Sequence, residues 1–236
     1  MGKAFSFDYM LRFFGTILSA LPVTLLITVV AFSAGLLIGL FAALVKIYKT
    51  PVLNQLVVFY TSFIRGTPLL VQIYMAYYGL PMLLIYLNNK YSLNMNVSHI
   101  PAIYFVFVAY ALNTGAYLTE TIRAAIESVD AEQYEAAYSI GMTRRQTFTR
   151  IILPQSFLWV LPNLGNTFIS LIKDTSLAFS VTILELIGMS KRLASGNLRY
   201  FEAYLTAALI YWVTCVVIEI LVNILEKRMR RRRGLA

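Results

Sequence analysis

Apolar residues in this chain fall in long uninterrupted blocks, not in the two-residue alternation of a strand or the narrow stripe of a soluble helix. Between Arg12 and Lys46 no side chain is charged. About 20 apolar residues in a helix are enough to cross a bilayer core. The blocks predict five spanning helices, at roughly 17–45, 66–87, 101–122, 157–180 and 203–225. Residues 50–64 are also apolar but too few to span alone. They either extend the second span or cap it, before Arg65, Gly66, Thr67 and Pro68 break the chain.

The longest polar connection runs from Ile122 to Gln155. Its first half, Ala131 to Ile140, contains no helix breaker and predicts a short helix. Gly141 supplies the end of that helix or a sharp turn. Thr143 then caps a second helix through Arg144, Arg145 and Arg150, which Pro154 terminates or kinks. Two short helices joined at a glycine form a compact knob. Small Ala136 and Ala137 permit close approach to a partner, and Glu135, Arg144 and Arg145 offer charged rim contacts. Composition alone fits equally well an amphipathic helix lying on lipid.

Composition agrees with the spans, since 59% of residues are hydrophobic and only 13% charged, well below the usual quarter. The first apolar run is too long for a signal peptide and lacks a small-residue cleavage site. The formal net charge of +9 does not point to nucleic acid. The cations cluster in short connections and at the C-terminus, where membrane topology explains them. With a cytosolic C-terminus, the inside segments hold twelve Lys and Arg against six outside. Five spans then put the N-terminus outside and the knob in the cytosol. The basic run from Lys227 reads as a stop-transfer anchor attracted to anionic lipid.

Candidate enzyme chemistry is sparse. Cys215 and His99 are the only cysteine and histidine, which excludes an internal disulfide and leaves no cluster for a metal centre or a nucleophile. No GxxxxGK followed by Ser or Thr occurs, so a phosphate-binding loop is missing.

The polar residues within the spans are more informative, because such groups normally face protein or water. Asn163, Asn166, Thr167, Ser170, Lys173 and Asp174 stand at offsets 0, 3, 4, 7, 10 and 11, one face of a helix. Lys173 and Asp174 diverge by about 100° and do not pair well with each other. They either neutralise groups on neighbouring helices or meet the carboxylate and ammonium of a zwitterionic ligand. Tyr110, Asn113, Tyr117 and Glu120 make a matching stripe on the third span, where Glu120 and Arg123 read as an interfacial pair. At Arg65–Pro68 the backbone must unwind, which is tolerated only against a cavity or buried in protein. Gly66 permits unusual dihedrals there, Thr67 offers a hydroxyl, and the helix start after Pro68 suits a carboxylate. The alternative is a plain helix break with Arg65 snorkelling to the interface. Gly35 and Gly39 form a GxxxG that allows close helix contact within or between subunits.

The spacing Glu135-Ala136-Ala137, Gly141, Ile151, Leu153, Pro154 resembles the EAA loop of ATP-binding-cassette importer permeases. Arg65-Gly66-Thr67-Pro68, Leu164-Gly165-Asn166 and Lys173-Asp174-Thr175-Ser176-Leu177 are similar to segments of that family's polar amino acid branch. The resemblance implies an all-α membrane protein with the type I importer permease fold. It implies one transmembrane domain over 1–236, with the coupling segment at 123–155 docking the ATPase. The substrate pathway would then use Arg65, Gly66, Thr67, Asn113, Asn166, Ser170, Lys173, Asp174, Thr175 and Ser176. The implied partners are two cytosolic ATP-binding subunits, a second permease subunit, an extracytoplasmic binding protein, lipid and an amino acid. Cystine, basic and amide side chains all stay open. The implied location is the bacterial cytoplasmic membrane, with ATP and Mg²⁺ used by the ATPase and no cofactor held by this chain. The competing class is an ATP-independent channel or secondary carrier for small polar solutes, which gives no account of the knob.

Overall fold

A computed structural model describes residues 5–93 and 96–232, and among these every regular element is helical. The chain opens with α1 (Phe7–Leu18), which the apolar blocks did not separate from the first span. Met10, Phe13 and Ile17 of α1 are buried, while Phe7, Leu11, Phe14 and Leu18 are exposed on the other side. A helix apolar on both sides suits a position between protein and lipid. The first span is α2 (Leu21–Tyr48), followed by α3 (Leu53–Arg65). The short apolar stretch is thus a helix of its own, packed on the first and third spans. The second span is continuous over Leu69–Tyr91. It comprises α4 (Leu69–Tyr74), a π-helical turn at Met75–Gly79 and α5 (Leu80–Tyr91).

The third span, α6 (Ala102–Glu127), is the most buried of the spans and packs against α2 over the most extensive helix contact in the molecule. Glycines make that approach possible. A Cβ on Gly35 would lie 2.8 Å from Thr114 Cβ, and one on Gly39 2.8 Å from Leu118 Cβ. The GxxxG pair therefore packs within the subunit.

After α6 come α7 (Ala131–Ser139) and α8 (Arg144–Thr147), the two helices expected in the knob. Asp130 caps α7 by accepting from the Glu132 N–H at 3.1 Å. Gly141 ends the turn at φ +80°, a left-handed conformation that favours glycine. Thr143 starts α8 with a reciprocal capping box to Gln146. Pro154, however, does not terminate the second helix. A π-helical turn at Phe148–Ile152 leads directly into α9 (Leu153–Asp174), with the proline in its first turn. Widening the turn ahead of a proline accommodates the ring and its missing N–H.

The fourth span is α9 continued by a 3-10 turn at Thr175–Val181, and it bends by 49° into α10 (Leu186–Asn197). Among the described residues, four helices are long and apolar enough to cross a membrane, and counting the bent pair makes five. The polar stripe lowers the hydropathy of the fourth span. The last helix, α11 (Tyr200–Arg232), is longer than its apolar block. At the start of α10, the buried Glu185 accepts hydrogen bonds from the N–H groups of Ile187 and Gly188 at 2.9 and 2.6 Å and from the Tyr211 hydroxyl at 2.8 Å. Three donors offset the cost of burying a carboxylate.

Candidate functional site

The break between α3 and α4, the middle of α6 and one face of α9 line an open cavity of about 540 Å³. Thr67, Pro68 and Leu69 line it from the break; Asn113, Thr114, Tyr117 and Thr121 from α6; Asn163, Asn166, Thr167, Ser170 and Asp174 from α9. Its size falls in the range of small-ligand pockets. Among the described residues, Asp174 is the only lining side chain of full charge, so the wall mixes polar and apolar surface around one acidic group.

Of the residues expected on the pathway, Thr67, Asn113, Asn166, Ser170 and Asp174 are thus brought together. The others lie elsewhere. Lys173 is exposed but does not line the cavity, because neighbouring positions on a helix point about 100° apart. The picture of Lys173 and Asp174 meeting opposite ends of one ligand in this cavity does not fit that geometry. Thr175 is fully buried, with its hydroxyl donating to the Ile172 carbonyl at 2.6 Å, and Ser176 does not line the cavity. Gly66 has φ −88°, an ordinary conformation. Its use is steric instead, since a Cβ there would sit 2.9 Å from the Ser62 carbonyl oxygen.

Arg65 stands beside the cavity rather than in it. Its guanidinium lies 5.7 Å from the ring centroid of the lining residue Tyr117 and 3.9 Å from the Glu120 carboxylate. Glu120 also pairs with Lys46 of α2 and, at 3.0 Å, with Arg123. What read as a two-residue interfacial pair is a hub of three cations from three helices. Tyr110, the first member of the expected α6 stripe, is fully buried, and its hydroxyl donates to the Asp174 carbonyl at 2.7 Å.

The residue that shapes the break was missed as a site residue. Gln72 of α4 is 5% exposed and donates from Nε2 to the Ile64 carbonyl at 2.7 Å and to the Thr67 carbonyl at 3.0 Å. Its Oε1 accepts from Asn113 Nδ2 at 3.0 Å. A glutamine in an apolar helix one turn after a proline break was the available signal, because the interrupted helix leaves carbonyls in need of donors.

The knob presents Glu135, Ala136, Gly141 and Arg145 to the surface, together with Ile140 at 77% exposed. Ala137 is buried at 2%, so its small size serves internal packing. Arg144 lies 5.3 Å from the ring centroid of Tyr48, fastening α8 to the end of α2.

The family model described as binding-protein-dependent transport system inner membrane component matches residues 35–231. The chain is 42% identical over 224 residues to the probable amino-acid permease protein YxeN of Bacillus subtilis, covering 95% of this chain and 96% of that one. It is 38% identical to the L-cystine transport system permease protein TcyL of the same organism, covering 98% of this chain and 94% of the relative. A crystal structure of an amino acid ABC transporter with histidines superposes at a TM-score of 0.83 with 34% identity, covering 96% of this chain and 100% of that chain. An inward-facing structure of the MetNI methionine ABC transporter shares the fold at a TM-score of 0.66 and 14% identity, with 95% and 99% covered. This chain belongs to the family of inner-membrane components of binding-protein-dependent transport systems.

Proposed function

We propose that this chain is a membrane-spanning subunit of an ATP-driven importer of polar amino acids, and that the substrate crosses through the cavity between the α3–α4 break, α6 and α9. The single observation that carries the reading is the convergence of Thr67, Asn113, Asn166, Ser170 and Asp174 on one open cavity of an otherwise apolar helical chain. Polar lining of that kind is costly in a membrane protein unless water or a ligand occupies it. The relatives named for amino-acid and L-cystine transport support the substrate class.

The knob, with Glu135, Ala136, Gly141 and Arg145 exposed, is the surface we assign to an ATPase subunit, with Arg144 bracing it and Ala137 packing beneath. Two ATPases require two such surfaces, hence a second permease subunit, identical or related. ATP and Mg²⁺ belong to the ATPase, because this chain has no phosphate-binding loop. A binding protein delivers substrate on the opposite side. The contact of Arg144 with Tyr48 and the Lys46–Glu120–Arg123 cluster gather cations at the knob's end of the bundle, which supports a cytosolic knob and C-terminus and an external N-terminus. ATP-driven closure of the ATPases then switches the cavity between the two sides.

Reconstitution with the cognate ATPase and binding protein, followed by an amino acid screen for stimulated ATP hydrolysis, tests the assignment. Stimulation by one or a few polar amino acids is expected. Stimulation by none would sink it.

A further inference from the structure

Gln72 does more than cap the break. Backbone carbonyls only accept hydrogen bonds, so the contacts to Ile64 and Thr67 force the Gln72 amide nitrogen toward the break and its oxygen the other way. That oxygen then selects the nitrogen of Asn113, at 3.0 Å. Asn113 is consequently locked as well, with Nδ2 committed to Gln72. Among the described residues its Oδ1 accepts no hydrogen bond, and Asn113 lines the cavity. A freely rotating asparagine would show a ligand either a donor or an acceptor. Held this way, the Asn113 amide turns its Oδ1 away from Gln72 as a fixed acceptor, with one N–H of Nδ2 left beside it.

We propose that Gln72 is a positioning residue that fixes the Asn113 amide, so that the α6 wall of the cavity presents a carbonyl oxygen to the protonated amine of the substrate. The inference rests on the reading of this cavity as an amino acid pathway. Asp174, on the facing helix α9, has the same polarity, so both walls favour the ammonium end of a zwitterion. Gln72 itself does not line the cavity, so its effect on the ligand passes through Asn113.

The test uses the permease–ATPase complex in nanodiscs, with two readouts. In the first, a thermal-denaturation cycle without ligand compares Gln72→Met, Asn113→Leu and the double variant. Departure from additivity by about 2 °C or more is expected for a direct pair. In the second, calorimetric binding of L-cystine and L-glutamine is measured for Gln72→Met in the native and in the Asn113→Asp backgrounds. Aspartate presents acceptor oxygens whichever way it turns. Gln72→Met should therefore weaken binding about tenfold with Asn113 present, the effect of one hydrogen bond to a charged group, and less than about twofold in the Asn113→Asp background. Equal weakening in both backgrounds, or additive melting shifts, would overturn the proposal and leave Gln72 as a structural cap. If neither binds the native complex, the amino acid that stimulates ATP hydrolysis takes their place in the assay, and if no amino acid stimulates it, the proposed substrate reading fails. The melting cycle then still decides whether Gln72 holds Asn113.

Discussion

Glu120 of α6 is paired with Lys46 of α2 where those two helices run together, and the same carboxylate holds Arg123 at 3.0 Å. The Lys46 and Glu120 side chains are 15% and 19% exposed, so the pair is largely withdrawn from water. Replacing Glu120 with Gln removes the carboxylate beside Lys46 and keeps its hydrogen bond to the Thr61 hydroxyl at 3.2 Å. Removing one member of a buried pair is strongly destabilising, and with residual exposure we expect a loss of about 2 kcal/mol. A melting curve in detergent checks it, and an unchanged midpoint would contradict the hub.

Gly141 stands at φ +80° with nothing within 4 Å of where a Cβ would go. Gly141→Val therefore strains only the backbone, by about 1–3 kcal/mol, and the damage stays in the knob. Co-purification of the ATPase and ATP-driven uptake should both fall, with the melting of the spans unchanged. Normal uptake by this variant would remove the knob from the coupling path.

Gly39 faces Leu118, and Gly115 answers from α6 with room for Ile38. Gly39→Leu forces α2 away from α6, and overpacking of this kind costs about 1–3 kcal/mol. Lower thermal stability of the isolated permease is expected. Were dimerisation lost and subunit stability kept, the glycine pair would belong to an intersubunit contact.

Asp174→Asn keeps the shape of the cavity and removes its charge. Uptake should drop about tenfold or more, as for a lost charge-assisted contact, with ATPase co-purification intact. Loss of co-purification would instead make Asp174 a structural residue.

Helix content, the five crossings and the glycine-hinged knob were all readable in the sequence, because each depends on local composition or on one residue's backbone freedom. The polar stripe on α9 was readable too, down to Asn163, Asn166, Thr167, Ser170 and Asp174, since helical periodicity alone puts them on one face. Periodicity failed at its edges. Tyr110 matches the α6 stripe in spacing yet is fully buried, because the Asp174 carbonyl reaches its hydroxyl from the neighbouring helix. Lys173 fits the α9 stripe in spacing but falls outside the cavity, at the limit of an arc that a cavity of this width can expose.

By itself the sequence determined that this chain crosses the membrane, roughly where its long apolar spans lie, and which of their faces carry polar residues. Those properties follow from the transfer free energy of successive side chains and from the helical repeat, which are local. Only the tertiary structure decided which polar faces meet, that Gly35 and Gly39 pack on α6, that Glu120 gathers three cations, and that Gln72 joins the α3–α4 break to Asn113. Each is a pairing between residues far apart in the chain, set by how helices rotate and cross once packed, and no periodicity within a single helix encodes its neighbour.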